Sequence, residues 1–296
     1  MNLRERLVDP KSPERRPRRA AYALPTLFTA GNVFFGFYAL IEILQGAMQI
    51  SQGMANGNQH LVKASLAIGL AVFLDGLDGR IARMTNTVSD FGREMDSLAD
   101  VIAFGIAPAA LAFVWGVQFI LPVADTDPKY FDYLNSAGYF FSFMFLLCGA
   151  MRLARFNIQK NPMPKNPGRP DRKYFVGLAI PSAAAVVASI VYACDGVPMH
   201  NWMWSALWLT LLALLSFLMV STWRYPSFKD LSLTRPRSPL TIIFFAGVIF
   251  VVWRFPQPAL LAMSAAYMLS GIVIRIGGIA RRRLKPPPPQ PEQQIG

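Results

Sequence analysis

Stretches of about 18 or more mostly apolar residues recur along this 296-residue chain, and that is the length an α-helix needs to cross the hydrocarbon core of a bilayer. A water-facing fold cannot bury so many of them. Apolar residues make up 53% of the chain and charged residues only 16%, so the polar surface that a soluble domain needs is missing. The apolar stretches predict eight membrane helices, at residues 24–45, 61–84, 94–121, 134–157, 175–193, 201–221, 239–253 and 258–279. The expected fold class is therefore all-α, a polytopic membrane helix bundle. Ahead of it, residues 1–23 carry seven Lys/Arg, three acids and several prolines, and are expected to form a disordered basic juxtamembrane arm. The acids and prolines do not suit a transit peptide. Residues 281–296, basic and then proline-rich, are expected to be a disordered tail.

Charge then orients the bundle. The net charge is +12, but the basic residues are dispersed between apolar spans rather than gathered on one polar domain, which excludes a nucleic-acid binder. With eight spans, 26 of the 29 Lys/Arg fall on one side, leaving Lys63, Lys129 and Arg254 on the other with Asp125, Asp127, Asp132 and Asp195. That bias places the basic side, with both termini, in the cytoplasm. Two cysteines (Cys148, Cys194) and two histidines (His60, His200) exclude a disulfide framework and offer no zinc spacing.

Ionisable residues inside membrane segments are costly and mark functional sites by default. They concentrate at the cytoplasmic ends of the second and third predicted helices, from Asp75 to Asp100. Asp75 and Asp78 are three apart, Asp96 and Asp100 four apart, so each pair occupies one helix face. A short connection makes the helices antiparallel neighbours, and the pairs can face each other. Converging carboxylates repel unless cations neutralise them, and hard oxygen ligands select Mg²⁺, Mn²⁺ or Ca²⁺. Two such ions about 3.5–4 Å apart can clamp a phosphate group. The small residues Gly79, Ala82 and Gly92 lie one turn from these aspartates and leave room for a flat group such as a nucleotide base. By themselves, small residues in membrane helices more often serve close helix packing.

The stretch from Asp75 to Asp100 reads D-x2-D-G-x2-A-R-x8-G-x3-D-x3-D. In this it resembles the CDP-alcohol phosphatidyltransferase family, and it meets all eight specified positions. The resemblance implies a helical membrane fold, a homodimer, two divalent ions (Mg²⁺ or Mn²⁺), and displacement of CMP from a CDP-linked lipid by an alcohol. Carried onto this chain, it makes Asp75, Asp78, Asp96 and Asp100 metal ligands and Asp100 also the general base. Asn32, Gly79, Ala82, Arg83, Ser89 and Gly92 would contact the CDP-lipid. Residues 24–193 would be the catalytic core, and 194–280 additional membrane helices without a readable motif.

A second region bears on the alcohol. Arg152 and Arg155 are three apart at the cytoplasmic end of the fourth predicted helix, where guanidinium groups suit carboxylate or phosphate. An isolated arginine pair at that place also serves the positive-inside bias or binds lipid headgroups. The segment G-A-M-R-L-A-R-F-N, from Gly149 to Asn157, is similar to one in membrane-type phosphatidylserine synthases. So are F-V-G-L-A-I-P from Phe175, with Ala179 in place of a proline, and the opening P-T-L-F-T from Pro25, with Thr26 in place of an asparagine. This resemblance implies CDP-diacylglycerol as donor, L-serine as acceptor and Arg152 and Arg155 as acceptor-binding residues. Glycerol 3-phosphate or inositol phosphate would also use an arginine pair, whereas choline calls for aromatic or acidic partners. An intramembrane prenyltransferase would carry two aspartate motifs well apart in sequence. A cation transporter would place its acids near the midplane on several helices. The topology is testable: cysteine-accessibility labelling is expected to place residues 125–132 and 161–171 on opposite faces, and labelling of both from one side would overturn it.

Overall fold

Without water to hydrogen-bond it, a backbone in a bilayer must satisfy itself internally, and helices do this segment by segment. The computed structural model describes residues 15–54, 56–85, 90–121, 129–160, 174–226 and 239–284, and it is mostly helical. The helices are α1 (Arg15–Ser51), α2 (Gly57–Thr85), α3 (Asp90–Asp100), α4 (Ala107–Gly116), α5 (Lys129–Lys160), α6 (Ile180–Ala193), α7 (Trp202–Val220), α8 (Pro239–Arg254) and α9 (Pro256–Leu284). Two short strands, β1 (Tyr174–Val176) and β2 (Arg224–Pro226), pair antiparallel with Phe175 opposite Tyr225. Among the described residues, six helical stretches are long and apolar enough to cross a membrane: Leu27–Ser51, Gly57–Leu77, Glu94–Gly116, Lys129–Ile158, Trp202–Val220 and Pro256–Gly277. The large apolar side chains exposed along them, Phe34, Phe73, Phe143, Leu207 and Val273 among others, suit a lipid surround.

Four expectations change. The basic segment ahead of residue 24 is not wholly disordered, because α1 is helical from Arg15; residues 1–14 lie outside the described ones. The proline-rich tail from residue 285 lies outside them too, while α9 runs on to Leu284. The fold is not purely α. The fifth predicted helix loses its first five residues to β1 and a turn, so α6 has 14 residues and begins at Ile180 with Pro181 in its first turn, where no helical N–H is needed. Helix α8, in contrast, matches the predicted 239–253, and its 16 residues are fewer than the roughly 20 that span a bilayer.

The third predicted helix is interrupted as well. Between α3 and α4 the chain makes a π-helical segment, Val101–Ile106, in which Ala107 N–H reaches back five residues to Ile102 O. Pro108 accounts for its place: in a continuous α-helix its ring would clash with the carbonyl of Phe104, which a widened turn relieves. The inserted residue re-phases the apolar α4 relative to the polar α3.

The core is made by Ile43, Leu61, Ile68, Phe104, Leu111, Trp115, Leu178, Leu212 and Leu215, drawn from α1, α2, the π turn, α4, the β1–α6 turn and α7. On α1, Gly36 lets the backbones touch, since a Cβ there would stand 2.8 Å from Ala103 Cα. Trp208 of α7 donates Nε1 to Ala112 O at 3.0 Å and stacks edge-on against Trp115. Far from the aspartates along α1, the buried Glu42 pairs with His60 Nδ1 of α2 at 2.6 Å, a polar clasp on an otherwise apolar hairpin.

Gly177 closes the turn from β1 into α6. Its φ is +78°, and a Cβ there would stand 2.6 Å from Met219 O. Left-handed backbone costs a non-glycine residue about 1–2 kcal/mol before any clash. Gly177→Ala is expected to lower the thermal unfolding midpoint of the detergent-purified protein, and an unchanged midpoint would show that this turn is not under strain.

Candidate active site

The site lies where α2 and α3 come together beside α1. Helical spacing puts Asp96 and Asp100 on one face of α3, and Asp75 meets them from α2. Carboxylate oxygens of Asp75, Asp96 and Asp100 all lie within 4.8 Å of one another. Asp100 is only 8% exposed, and the other two are half-buried. From α1, Asn32 donates Nδ2 to Asp100 Oδ1 across 3.5 Å, while its own buried Oδ1 has no hydrogen-bond partner among the described residues. From α5, Asn157 donates Nδ2 to Ser97 Oγ at 2.7 Å, pinning the end of α5 to α3 one residue from Asp96.

The two predicted acceptor arginines take different positions. Arg152 is 9% exposed, its Nε has no hydrogen-bond partner among the described residues, and it interacts electrostatically with Tyr267 of α9, with Arg155 and with Asp100. Arg155 donates Nη1 to Val220 O at 3.0 Å, capping the C-terminal end of α7, and its Nη2 crowds Gly177. Arg152 is thus within electrostatic range of Asp100, and Arg155 ties α5 to α7. The remaining predicted residues are less fully described. Asp78, Gly79, Ala82 and Arg83 belong to α2, but their side chains lie outside the described ones, as does Ser89 altogether. Gly92 is half-buried on α3. Asn157 and Tyr267 were not predicted. Asn157 ends the G-A-M-R-L-A-R-F-N segment, which hints at it, whereas nothing in the sequence marks Tyr267.

Like charges this close need compensation: two unit charges 4 Å apart repel by about 4 kcal/mol at an effective dielectric of about 20. The donor set fits a divalent cation. All three groups offer hard oxygens, and oxygens bound to one Mg²⁺ or Ca²⁺ at about 2.0–2.6 Å are separated by no more than about 5 Å. Asp75, Asp96 and Asp100 are therefore the residues that could hold one.

Comparison with known proteins agrees with this geometry. The sequence model of the CDP-alcohol phosphatidyltransferase family matches residues 22–214, from α1 into α7. The chain belongs to that family and is a transferase. It is 34% identical over 258 residues to the CDP-diacylglycerol–serine O-phosphatidyltransferase of Helicobacter pylori, covering 87% of this chain and 92% of that one. To the enzyme of the same name from Methanocaldococcus jannaschii it is 29% identical over 242 residues, 82% of this chain and 94% of that one. A Saccharomyces cerevisiae protein, also of that name, is 39% identical over 162 residues, 54% of this chain and 50% of its own.

Replacing any one carboxylate should weaken the cation site without unfolding the bundle. Asp75→Asn, Asp96→Asn and Asp100→Asn are each expected to lower Mn²⁺ affinity by about tenfold or more, read by electron paramagnetic resonance titration of the purified protein. A variant that binds Mn²⁺ as the parent does would remove that residue from the ligand set.

Proposed function

We propose that the protein transfers the phosphatidyl group of CDP-diacylglycerol to L-serine, yielding phosphatidylserine and CMP. The observation that carries this reading is the buried Arg152, within electrostatic range of Asp100, one of the converged aspartates. A carboxylate-bearing alcohol needs a cation within reach of the base that activates its hydroxyl, and this arrangement provides both. Support comes also from the similarity, along most of the chain, to proteins named as serine phosphatidyltransferases.

Asp100 takes the proton from the serine hydroxyl, as its place beside Asn32 and Arg152 allows. The serine oxygen forms a bond to the phosphorus that carries the diacylglycerol. The pyrophosphate P–O bond to the cytidylyl phosphate breaks, and CMP leaves with the bridging oxygen. Asp75, Asp78, Asp96 and Asp100 would hold Mg²⁺ or Mn²⁺, which when bound neutralises the carboxylates and stabilises the charge developing on the phosphates. Asn32, Gly79, Ala82, Arg83, Ser89 and Gly92 surround the CDP-lipid, the small residues leaving space for the cytosine. Arg152 holds the serine carboxylate, and Arg155, committed in part to α7, keeps the end of α5 in place. Burial of Asp100 among apolar helices keeps bulk water from competing with serine for the phosphorus.

The membrane arrangement belongs to the same proposal. With α6 and α8 read as two further crossings beside the six long helices, eight crossings would put both termini and the aspartates on the basic, cytoplasmic side, where serine is available and anionic lipid is attracted. The working unit is a homodimer, as in the family that the motif resembles.

An assay of the purified protein with CDP-diacylglycerol and Mg²⁺ or Mn²⁺, offered serine, glycerol 3-phosphate, inositol phosphate and choline in parallel, tests the acceptor. CMP release is expected with serine at least about tenfold faster than with the others; equal or faster release with a phosphorylated alcohol would reassign it. Asp100→Asn retains shape and one ligand oxygen but cannot take a proton at neutral pH. It should lower turnover by about 10²–10⁴-fold.

A further inference from the structure

The last helix contributes to the site although no motif lies on it. Helix α9 packs against α6 and β2, with Ser264 Oγ and Ser189 Oγ 2.7 Å apart. About two turns further along, Gly271 faces the ring of Tyr225, where any Cβ would collide with it. Tyr225 is fully buried, and its ring centroid stands 5.8 Å from that of Tyr267. Two polar groups here are buried without hydrogen-bond partners among the described residues, the Tyr225 hydroxyl and Arg152 Nε. A buried polar group left unsatisfied costs about 1–3 kcal/mol, so an orphan hydroxyl and an orphan guanidinium N–H around one tyrosine point to a ligand that accepts hydrogen bonds. Tyr267 adds a phenol that interacts with the Arg152 charge and bonds to the Ser182 side chain of α6.

We infer that Tyr267 of α9 and Tyr225 of β2 join Arg152 in a subsite for the carboxylate of the acceptor, and so make the C-terminal helix a determinant of acceptor specificity. The inference rests on the proposed serine transfer and names the residues that read serine. A carboxylate offers about four lone-pair sites. The guanidinium fork takes two of them and neutral phenols suit the rest. Arg155 has an Nη engaged at Val220 O, so the buried Arg152 is the guanidinium offered to the carboxylate. Tyr225 can serve as a neutral donor, because burial and then the neighbouring Tyr267 push its phenol up to about 12.

The test uses the full-length protein with CDP-diacylglycerol, comparing serine with serine methyl ester, which keeps the hydroxyl and amine but lacks the carboxylate charge. Tyr267→Phe keeps the ring against Tyr225 and removes only the hydroxyl. It is expected to raise the KM for serine by about tenfold, the effect of one lost hydrogen bond to a charged group, with a smaller change in kcat and in the KM for CDP-diacylglycerol. It should also narrow the preference for serine over its methyl ester by a similar factor. Tyr225→Phe should act in the same direction. If it fails to fold, as judged by its thermal midpoint, Tyr267→Phe carries the test alone. An unchanged KM for serine in Tyr267→Phe, or an equal loss with serine and its ester, would overturn the subsite. A parent protein that makes no product from serine would instead overturn the transfer reading, and the two failures are told apart in the same assay.

Discussion

Three carboxylates held within 4.8 Å of one another at the edge of an apolar bundle are the demand that the surrounding structure meets. Left alone, their repulsion would splay α2 from α3. Apolar packing beyond them opposes it: Ala103 and Phe104 of the π turn and Leu111 of α4 are fully buried against neighbouring helices. Gly36 lets α1 close on that same turn. The bundle thus supplies a rigid frame in which charge is concentrated on purpose, and a bound cation would then stabilise the fold and the reaction together.

Polar side chains approach this charged edge from two helices, α1 and α5. Asn32 comes from α1, Asn157 from α5 by way of Ser97, and Arg152 from α5 toward Asp100. They differ in what they contribute. Asn32 and Asn157 are neutral and hold geometry, while Arg152 brings a buried positive charge whose cost is offset only if an anion shares its surroundings. Arg155 serves the frame instead, satisfying a carbonyl at the end of α7 that would otherwise lack a partner. Two arginines one helical turn apart therefore do different work, one at the site and one at a helix end.

The β1–β2 ladder explains how the C-terminal third joins the site. Residues 224–226 pair with 174–176, which holds Tyr225 under α9 and carries the chain past Gly177 into α6. Through Tyr225 and Gly271, α9 is seated where Tyr267 reaches Arg152. The family match ends at residue 214, so Tyr225, Tyr267 and Gly271 lie beyond the segment that defines the family.

The membrane bundle, its approximate helix positions and the carboxylate cluster were legible in the sequence, because each rests on local rules. Apolar length fits a bilayer, and residues three or four apart share a helix face. Asp75, Asp96 and Asp100 could be paired before any coordinates because their helices are adjacent in sequence and joined by a short loop. The tertiary structure alone decided where residues distant along the chain would meet. Arg152 and Arg155 look equivalent by spacing, yet only the packing of α5 against α7 sends one of them to Val220 O. The strand at Tyr174–Val176 depends on a partner about 50 residues away, so an apolar run there reads as helix until that partner is known. Tyr267 stands 167 residues beyond Asp100 on a helix with no motif, and its nearness to Arg152 follows from helix docking, which residue spacing does not encode.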